Sequence, residues 1–286
     1  MAEILKGAPV AKAMAEELAA RIQKLKERGI TPKLAIIRLG SNPDDIYYEK
    51  SATRFCERVG AEVKSIVYPA DCEETRLIRR IKRINNDDSI HGCLLLRPLP
   101  KHINEFRVSE ALCPEKDIDC LTVGSLGSVF AGKGAGFPPC TAQAVMEMLQ
   151  RSGFEIQGKS AVVIGRSLVV GRPVAIMLQQ ENATVTMCHS KTEDLAEICR
   201  RADIIVSAAG QPRIVTKDFV REGQVIIDVG INSNGNYISG DADFDEVEPI
   251  VAAITPVPGG IGVVTTATLV KHLVDSAESF STKSKQ

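Results

Sequence analysis

Residues 160–173 read Ser160-Ala161-Val162-Val163-Ile164-Gly165-Arg166-Ser167-Leu168-Val169-Val170-Gly171-Arg172-Pro173. The apolar run through Ile164 predicts a buried strand that stops at Gly165. A tight turn with a second glycine follows, and Pro173 suits the first turn of a helix, where its missing N–H is no loss. A helix opening there offers unpaired N–H groups and a positive dipole end to an anion. Strand, glycine turn and helix in that order make one unit of a doubly wound α/β sheet. The spacing departs from G-x-G-x-x-G, so on this stretch alone a purely structural strand-to-helix turn stays open.

The next strand sharpens the reading. It ends Cys188-His189-Ser190-Lys191. A site for NAD usually carries an acid here, bonded to the ribose hydroxyls. This chain has none, and Arg166 lies in the facing turn. Such groups donate to a 2′-phosphate that a carboxylate would repel. The expected cofactor is therefore NADP rather than NAD. Two further strands end in Ser207-Ala208-Ala209-Gly210 and Asp228-Val229-Gly230-Ile231, small enough for a flat cofactor to approach the backbone.

Working outward, helical and strand patterns alternate. Helices are expected at Val10–Arg28, Ile46–Val59 (closed by Gly60), Glu73–Asn85, Thr141–Arg151 and Val263–Ser279, with a frayed tail at 281–286. Strands are expected at Lys33–Leu39, Ala61–Tyr68, Gly92–Leu96, Thr184–Cys188, Ile204–Ser207 and Val225–Val229. The glycines and prolines between Gly124 and Pro139 predict a linker or mobile loop. This alternation means βαβ units and a mostly parallel sheet. The chain reads as α/β and two-lobed: 1–137 a catalytic lobe joined by the C-terminal helix 263–286, and 138–262 a Rossmann-like lobe.

Composition agrees with a soluble enzyme, 286 residues with a net charge of -1, which leaves no global field for nucleic acid or an anionic membrane. No apolar run is long enough for a membrane span, and the N-terminal stretch lacks a signal peptide's basic start and apolar block. The eight cysteines form no CxxC pair and no zinc-spaced cluster, so no metal site is expected; reduced thiols point to the cytoplasm.

Several motifs occur in one order: Pro98-Leu99-Pro100, Pro114-x-Lys116-Asp117-x-Asp119, Pro138-Pro139-Cys140-Thr141, Gly165-Arg166-Ser167 with Val170-Gly171-x-Pro173, Cys188-His189-Ser190-Lys191-Thr192, and Pro256-x-Pro258-Gly259-Gly260-x-Gly262. Across nearly the whole chain this resembles the methylenetetrahydrofolate dehydrogenase/methenyltetrahydrofolate cyclohydrolase family. The resemblance implies a homodimer with folate in a cleft between the lobes. It implies NADP-dependent oxidation of 5,10-methylenetetrahydrofolate in one-carbon metabolism, followed in bifunctional members by hydrolysis to 10-formyltetrahydrofolate. It makes Tyr48 the residue that stacks on and positions the folate, and Asp119 the anchor of the pterin ring. Substrate contacts are expected from Tyr48, Pro98, Leu99, Asp119, Pro258, Gly259 and Gly260. Cofactor contacts are expected from Thr141, Gly165, Arg166, Ser167, Val170, Gly171, His189, Ser190, Ala209, Gly210 and Ile231.

The chain also departs from that family. The family's catalytic lysine lies four residues after the tyrosine, and here that position is Ala52; the supporting glutamine is Leu96. Lys50 is two residues past Tyr48, roughly 200° around a helix, and so points away. Asp45 stands for the usual serine, Cys120 for a glycine, Ala142 for a proline and Val263 for another proline. Ala52 and Leu96 neither donate nor accept a proton. The expectation is a dehydrogenase with weak or absent cyclohydrolase activity. Three alternatives stay open: a fully bifunctional enzyme in which Arg97 or Lys50 replaces the lost cation, a non-catalytic folate- or nucleotide-binding protein, and a two-lobed dehydrogenase for another small substrate.

Overall fold

The computed structural model describes residues 1–283 apart from 234, 236 and 237. The end of the tail expected to fray, 284–286, lies outside the described residues. In chain order the elements are β1 (Glu3–Ile4), α1 (Gly7–Glu27), β2 (Lys33–Leu39), α2 (Pro43–Val59), β3 (Glu62–Tyr68), α3 (Glu74–Asn85), β4 (Gly92–Leu95), α4 (Glu105–Ser109) and α5 (Val123–Ala131). There follow α6 (Cys140–Arg151), β5 (Ser160–Ile164), α7 (Gly171–Gln180), β6 (Thr184–Cys188), α8 (Leu195–Arg201), β7 (Ile204–Ser207) and β8 (Val225–Asp228). The chain ends with β9 (Asn232–Ser233), β10 (Ile238–Ser239), α9 (Phe244–Val247), β11 (Ala253–Ile254) and α10 (Ile261–Lys283). Two compact units result, one of residues 13–140 and 266–286, the other of 1–12 and 141–265.

The first unit holds a parallel three-stranded sheet in the order β3-β2-β4. Ala35, Ile37, Leu39, Ile66, Tyr68, Cys93 and Leu95 share one core with Leu77, Ile81 and Ile84 of α3. That core explains why α3 folds: its apolar residues recur at helical spacing and all face the sheet. Its C-terminal carbonyls are collected by Lys116, fully buried, whose Nζ donates to Ile84 O at 2.8 Å, Asn85 O at 3.0 Å and Asp87 O at 2.8 Å. A cation there meets both the unpaired carbonyls and the negative end of the helix dipole.

An isolated parallel bridge joins Cys93 to Asp117, which sets 117–119 beside β4. The buried Asp117 carboxylate accepts from Leu121 N, Thr122 N, Thr122 Oγ1 and Ser125 Oγ. These bonds correct the loop expected over Gly124–Pro139, because its first half lies in the helix α5. Thr122 caps it through Ser125 N, Gly132 ends it at φ 66, and Gly124 and Gly127 lie within it. Their weak helix propensity is overridden by the cap and by Asp117.

The second unit is a parallel six-stranded sheet, order β1-β11-β8-β7-β5-β6, with β9 and β10 as a separate antiparallel pair. β7 and β8 are buried along their whole length, as a sheet covered on both faces requires. The division expected from sequence kept all of 1–137 together, whereas the first twelve residues cluster with 141–265. The cause is β1, which extends this sheet by pairing parallel to β11, with Glu3 opposite Ala253. Two residues are too few to register as a strand pattern.

Candidate functional site

In the first unit the chemistry gathers at the C-terminal ends of the strands, the edge at which parallel sheets bind ligands. β2 runs through Gly40 into α2, where Asn42 caps the helix through Asp44 N and Pro43 sits in the first turn. This sets Tyr48 on the second turn, half-buried. Its phenol is held well above the usual tyrosine range by desolvation, then by the charges of Asp119 and Cys140. Asp119 accepts from the Cys140 thiol and backbone, and burial raises its carboxyl above the ordinary value against the opposing pull of those bonds and of Arg97. Tyr48, Asp119, Cys140 and Arg97 thus form one electrostatic group.

Cys140 Sγ also lies 3.2 Å from Ile118 O, and His272 Nδ1 lies 3.0 Å from the same oxygen. Phe137 stacks on His272 with ring centroids 5.0 Å apart. Neither Cys140 nor His272 is a site candidate on sequence grounds, because their bonds to the Ile118 carbonyl join segments remote in sequence. Arg97 follows β4; its Nη1 lies 3.1 Å from Glu105 Oε1, and Leu99 N reaches the same carboxylate at 3.5 Å. Pro98 is exposed and Leu99 half-buried beside it, and the Arg97–Pro98 bond is cis.

The departures fall in the same region. Ala52, one turn after Tyr48 on α2, is fully buried, and Leu96 is 6% exposed. Lys50 is exposed, as its angular offset predicts. Cys120 has φ 59, the left-handed region where a glycine would sit without strain. Asp45 is half-buried at the start of α2.

In the second unit, the turn after β5 is tight at both glycines. A Cβ on Gly165 (φ +126) would lie 2.2 Å from Ala208 O, and one on Gly171 would lie 2.2 Å from Gly165 O. Ser167 Oγ accepts from Val170 N and Gly171 N at 3.1 and 3.4 Å, which closes the turn onto α7. β5 and β6 are neighbours with Ile164 opposite Cys188, and Gly165 N donates to Cys188 O at 2.9 Å. Arg166 and His189-Ser190-Lys191 therefore leave adjacent strand ends, with Arg166, Ser190 and Lys191 exposed. His189 Nδ1 accepts from Lys191 N at 3.2 Å. A glycine cradle beside a cluster of donors without an acid fits a phosphorylated dinucleotide.

Two aspartates that sequence reasoning passed over hold this edge. Asp241, fully buried, accepts from Ala209 N at 2.6 Å, Gly210 N at 3.1 Å, Gln211 N at 3.0 Å and Asn232 Nδ2 at 2.9 Å. Asp228 accepts from Gly230 N, Asp241 N and Ala242 N, yet burial pushes its carboxyl up to about 6. Ile231 stands exposed, and Thr141 is half-buried at the start of α6. In the Pro256–Gly262 loop, Gly259 has φ 103, and a Cβ on Gly260 would lie 2.5 Å from Pro256 O. Gly7 N donates to Gly259 O at 2.8 Å. Folding of the loop thus accounts for these two glycines, while Pro258 and Gly259 remain exposed.

The family description "Tetrahydrofolate dehydrogenase/cyclohydrolase, catalytic domain" matches residues 5–119, and that of the family's NAD(P)-binding domain matches 139–281. The chain is 52% identical over 282 residues to the bifunctional protein FolD of Carboxydothermus hydrogenoformans, covering 97% of this chain and 98% of that protein. The crystal structure of the Campylobacter jejuni bifunctional FolD enzyme superposes with a TM-score of 0.94 at 39% identity, covering 98% of this chain and 99% of that one. The Trypanosoma brucei methylenetetrahydrofolate dehydrogenase-cyclohydrolase, solved with NADP and an inhibitor, superposes with a TM-score of 0.91 at 37% identity, covering 97% and 98%.

Proposed function

The chain belongs to the tetrahydrofolate dehydrogenase/cyclohydrolase family, and from that premise we propose that it oxidises 5,10-methylenetetrahydrofolate to the methenyl form with NADP and hydrolyses the product weakly or not at all. When bound, NADP supplies the hydride acceptor. The cofactor rests on the glycine cradle of Gly165, Ser167, Val170 and Gly171 and against Thr141, Ala209, Gly210 and Ile231. Its 2′-phosphate takes bonds from Arg166, His189 and Ser190. Asp119 accepts from the pterin's adjacent N–H groups. Tyr48 stays a neutral phenol and offers its ring as a platform, with Pro98 and Leu99 beside it; Pro258, Gly259 and Gly260 supply backbone contacts. Hydride transfer asks little more of the protein than two rings held face to face.

The observation that carries the second half of the proposal is the buried pair Ala52 and Leu96 beside an outward-facing Lys50. Hydration of the methenyl carbon needs a group that moves protons, and neither side chain does so. The second reading, full bifunctionality, is favoured by the names of the relatives and by Arg97, whose charge reaches Asp119. A guanidinium stabilises charge but keeps its protons, so it does not replace a lysine as proton carrier.

The test is direct. Purified protein, 5,10-methylenetetrahydrofolate and NADP should yield reduced cofactor; no reduction with either NADP or NAD sinks the dehydrogenase. Added methenyltetrahydrofolate should lose its absorbance no faster than in buffer. We further propose a homodimer in a reducing compartment, consistent with eight free cysteines; sedimentation of the purified chain tests the dimer.

A further inference from the structure

The outer face of α3 carries Arg76, Arg79, Arg80 and Arg83. Spacings of three and four residues put all four on one side of the helix, next to the apolar side that meets the sheet. With Tyr68 they line a cavity of about 270 Å³. Tyr68 organises the group: the Arg76 guanidinium lies 5.1 Å from its ring centroid, and Arg80 Nε donates to its hydroxyl at 2.9 Å. No ion pair to any of the four arginines is found among the described residues. The two acids that open α3 are engaged elsewhere, Glu74 with Arg107 and with Asn104 N, and Glu73 with Thr75. A row of like charges at these spacings weakens a helix, and a multivalent anion would reverse that effect. Guanidinium forks match carboxylates and phosphates alike.

The position of the cavity selects the carboxylate. Tyr68 ends β3, and the sheet runs β3-β2-β4 with Asp117 bridged to Cys93 of β4. From Asp119 to Tyr68 along this edge is three strand spacings, roughly 14 Å, a span that an extended pteroyl group covers. A folate whose pterin is anchored at Asp119 and which lies along the edge brings its glutamyl carboxylates to α3. We propose that the arginine face of α3 is a subsite for the γ-linked oligoglutamyl tail of the folate, each added glutamyl unit bringing one more carboxylate. This rests on the folate reading of the Asp119 site.

The test is a series of KM values for 5,10-methylenetetrahydrofolate carrying one, three or five glutamyl residues. In the wild type KM should fall by about tenfold or more along the series, a gain of the size expected for charge-assisted bonds. Arg76→Ala/Arg79→Ala/Arg83→Ala alters only exposed side chains and should flatten the series. Lys82→Ala, which removes a positive charge from α3 outside the row, should keep it. A flat wild-type series, or one that survives in the triple variant, overturns the subsite while leaving the dehydrogenase intact. Absence of turnover with every substrate overturns the folate reading instead. In that case the anisotropy of a labelled γ-glutamyl pentapeptide decides: binding that the triple variant loses keeps the subsite, and no binding removes it. Preference for inorganic tripolyphosphate over the pentapeptide in the same assay overturns the carboxylate assignment.

Discussion

Restoring the two missing groups together, Ala52→Lys with Leu96→Gln, should create cyclohydrolase activity. Cβ of a helical residue tilts toward the helix N-terminus, so a lysine at 52 extends over the preceding turn, toward Tyr48 and the Asp119 group. General acid–base groups contribute about 10²–10⁴-fold, equivalent to about 3–5 kcal/mol of barrier. The stability cost follows from burial, since Ala52 is fully enclosed and Leu96 nearly so. Overpacking such a site costs about 1–3 kcal/mol, which lowers Tm by roughly 2–4 °C per kcal/mol in a large domain. The assay follows loss of methenyl absorbance above the buffer rate, with NADP reduction in the same preparation as proof of a competent fold. The double variant should hydrolyse the methenyl substrate about 10²-fold or more faster than the wild type, and Ala52→Lys alone should gain less. Two results refute the reasoning: a wild type already as fast as the double variant, or a folded, dehydrogenase-active double variant that hydrolyses nothing.

Arg166→Ala should raise KM for NADP by about 10–100-fold, the loss of a charged hydrogen bond, and leave KM for NAD little changed; equal effects on both cofactors would remove Arg166 from the 2′-phosphate. Arg97→Gln withdraws the cation that holds the Asp119 carboxyl down, so the pH below which folate KM climbs should move upward while KM for NADP stays put. Lys116→Met strands three carbonyls now bonded at 2.8–3.0 Å; urea unfolding should show a loss of about 2–4 kcal/mol. Asp228 holds its proton up to about 6 in the fold, against an ordinary value of 3.8. Between those values the native state binds more protons than the unfolded chain, so its contribution falls as pH rises through the window, by roughly 3 kcal/mol. Relative to Asp228→Asn, wild-type stability should therefore decline from pH 4 to 6 and then level off; a parallel pair of curves would show that the carboxyl titrates normally.

Strands were the most readable part of this chain. Lys33–Leu39, Ser160–Ile164 and Thr184–Cys188 have the same bounds in the structure as in the sequence reading, the first two ending at Gly40 and Gly165. The same local logic failed at α5, where Gly124 and Gly127 read as loop, because Asp117 and Thr122 stabilise that helix through hydrogen bonds that no periodicity reports. The Pro114–Asp119 motif makes the limit plainer. Three charged residues fall within four positions, and the fold sends them to different tasks: Lys116 serves the end of α3, Asp117 serves the start of α5, and Asp119 joins Tyr48 and Arg97. Residues are near in sequence for covalent reasons, whereas their partners are chosen by the fold.

The reading of Ala52 needed both kinds of information. Sequence identifies the substitution and the coincident loss at Leu96, but a nearby lysine or arginine could make either harmless. The structure separates those candidates by burial and charge. Lys50 is solvated on the far side of α2, so bringing its ammonium to Asp119 would mean rotating the helix and withdrawing Ala52, Phe55 and Cys56 from the core. Arg97 acts on Asp119 through its charge, but Glu105 holds its guanidinium at 3.1 Å, and a permanently charged fork so engaged can tune the carboxylate without carrying a proton. Asp119 and Cys140 act on Tyr48 through their charges, burial raises both groups above their ordinary values, and His272 Nδ1 lies 3.6 Å from Cys140 Sγ. Tyr48, Asp119 and Cys140, with His272 Nδ1 3.0 Å from Ile118 O, make a group suited to anchoring and orienting a ring, and hydride transfer, the step proposed above, asks chiefly for that.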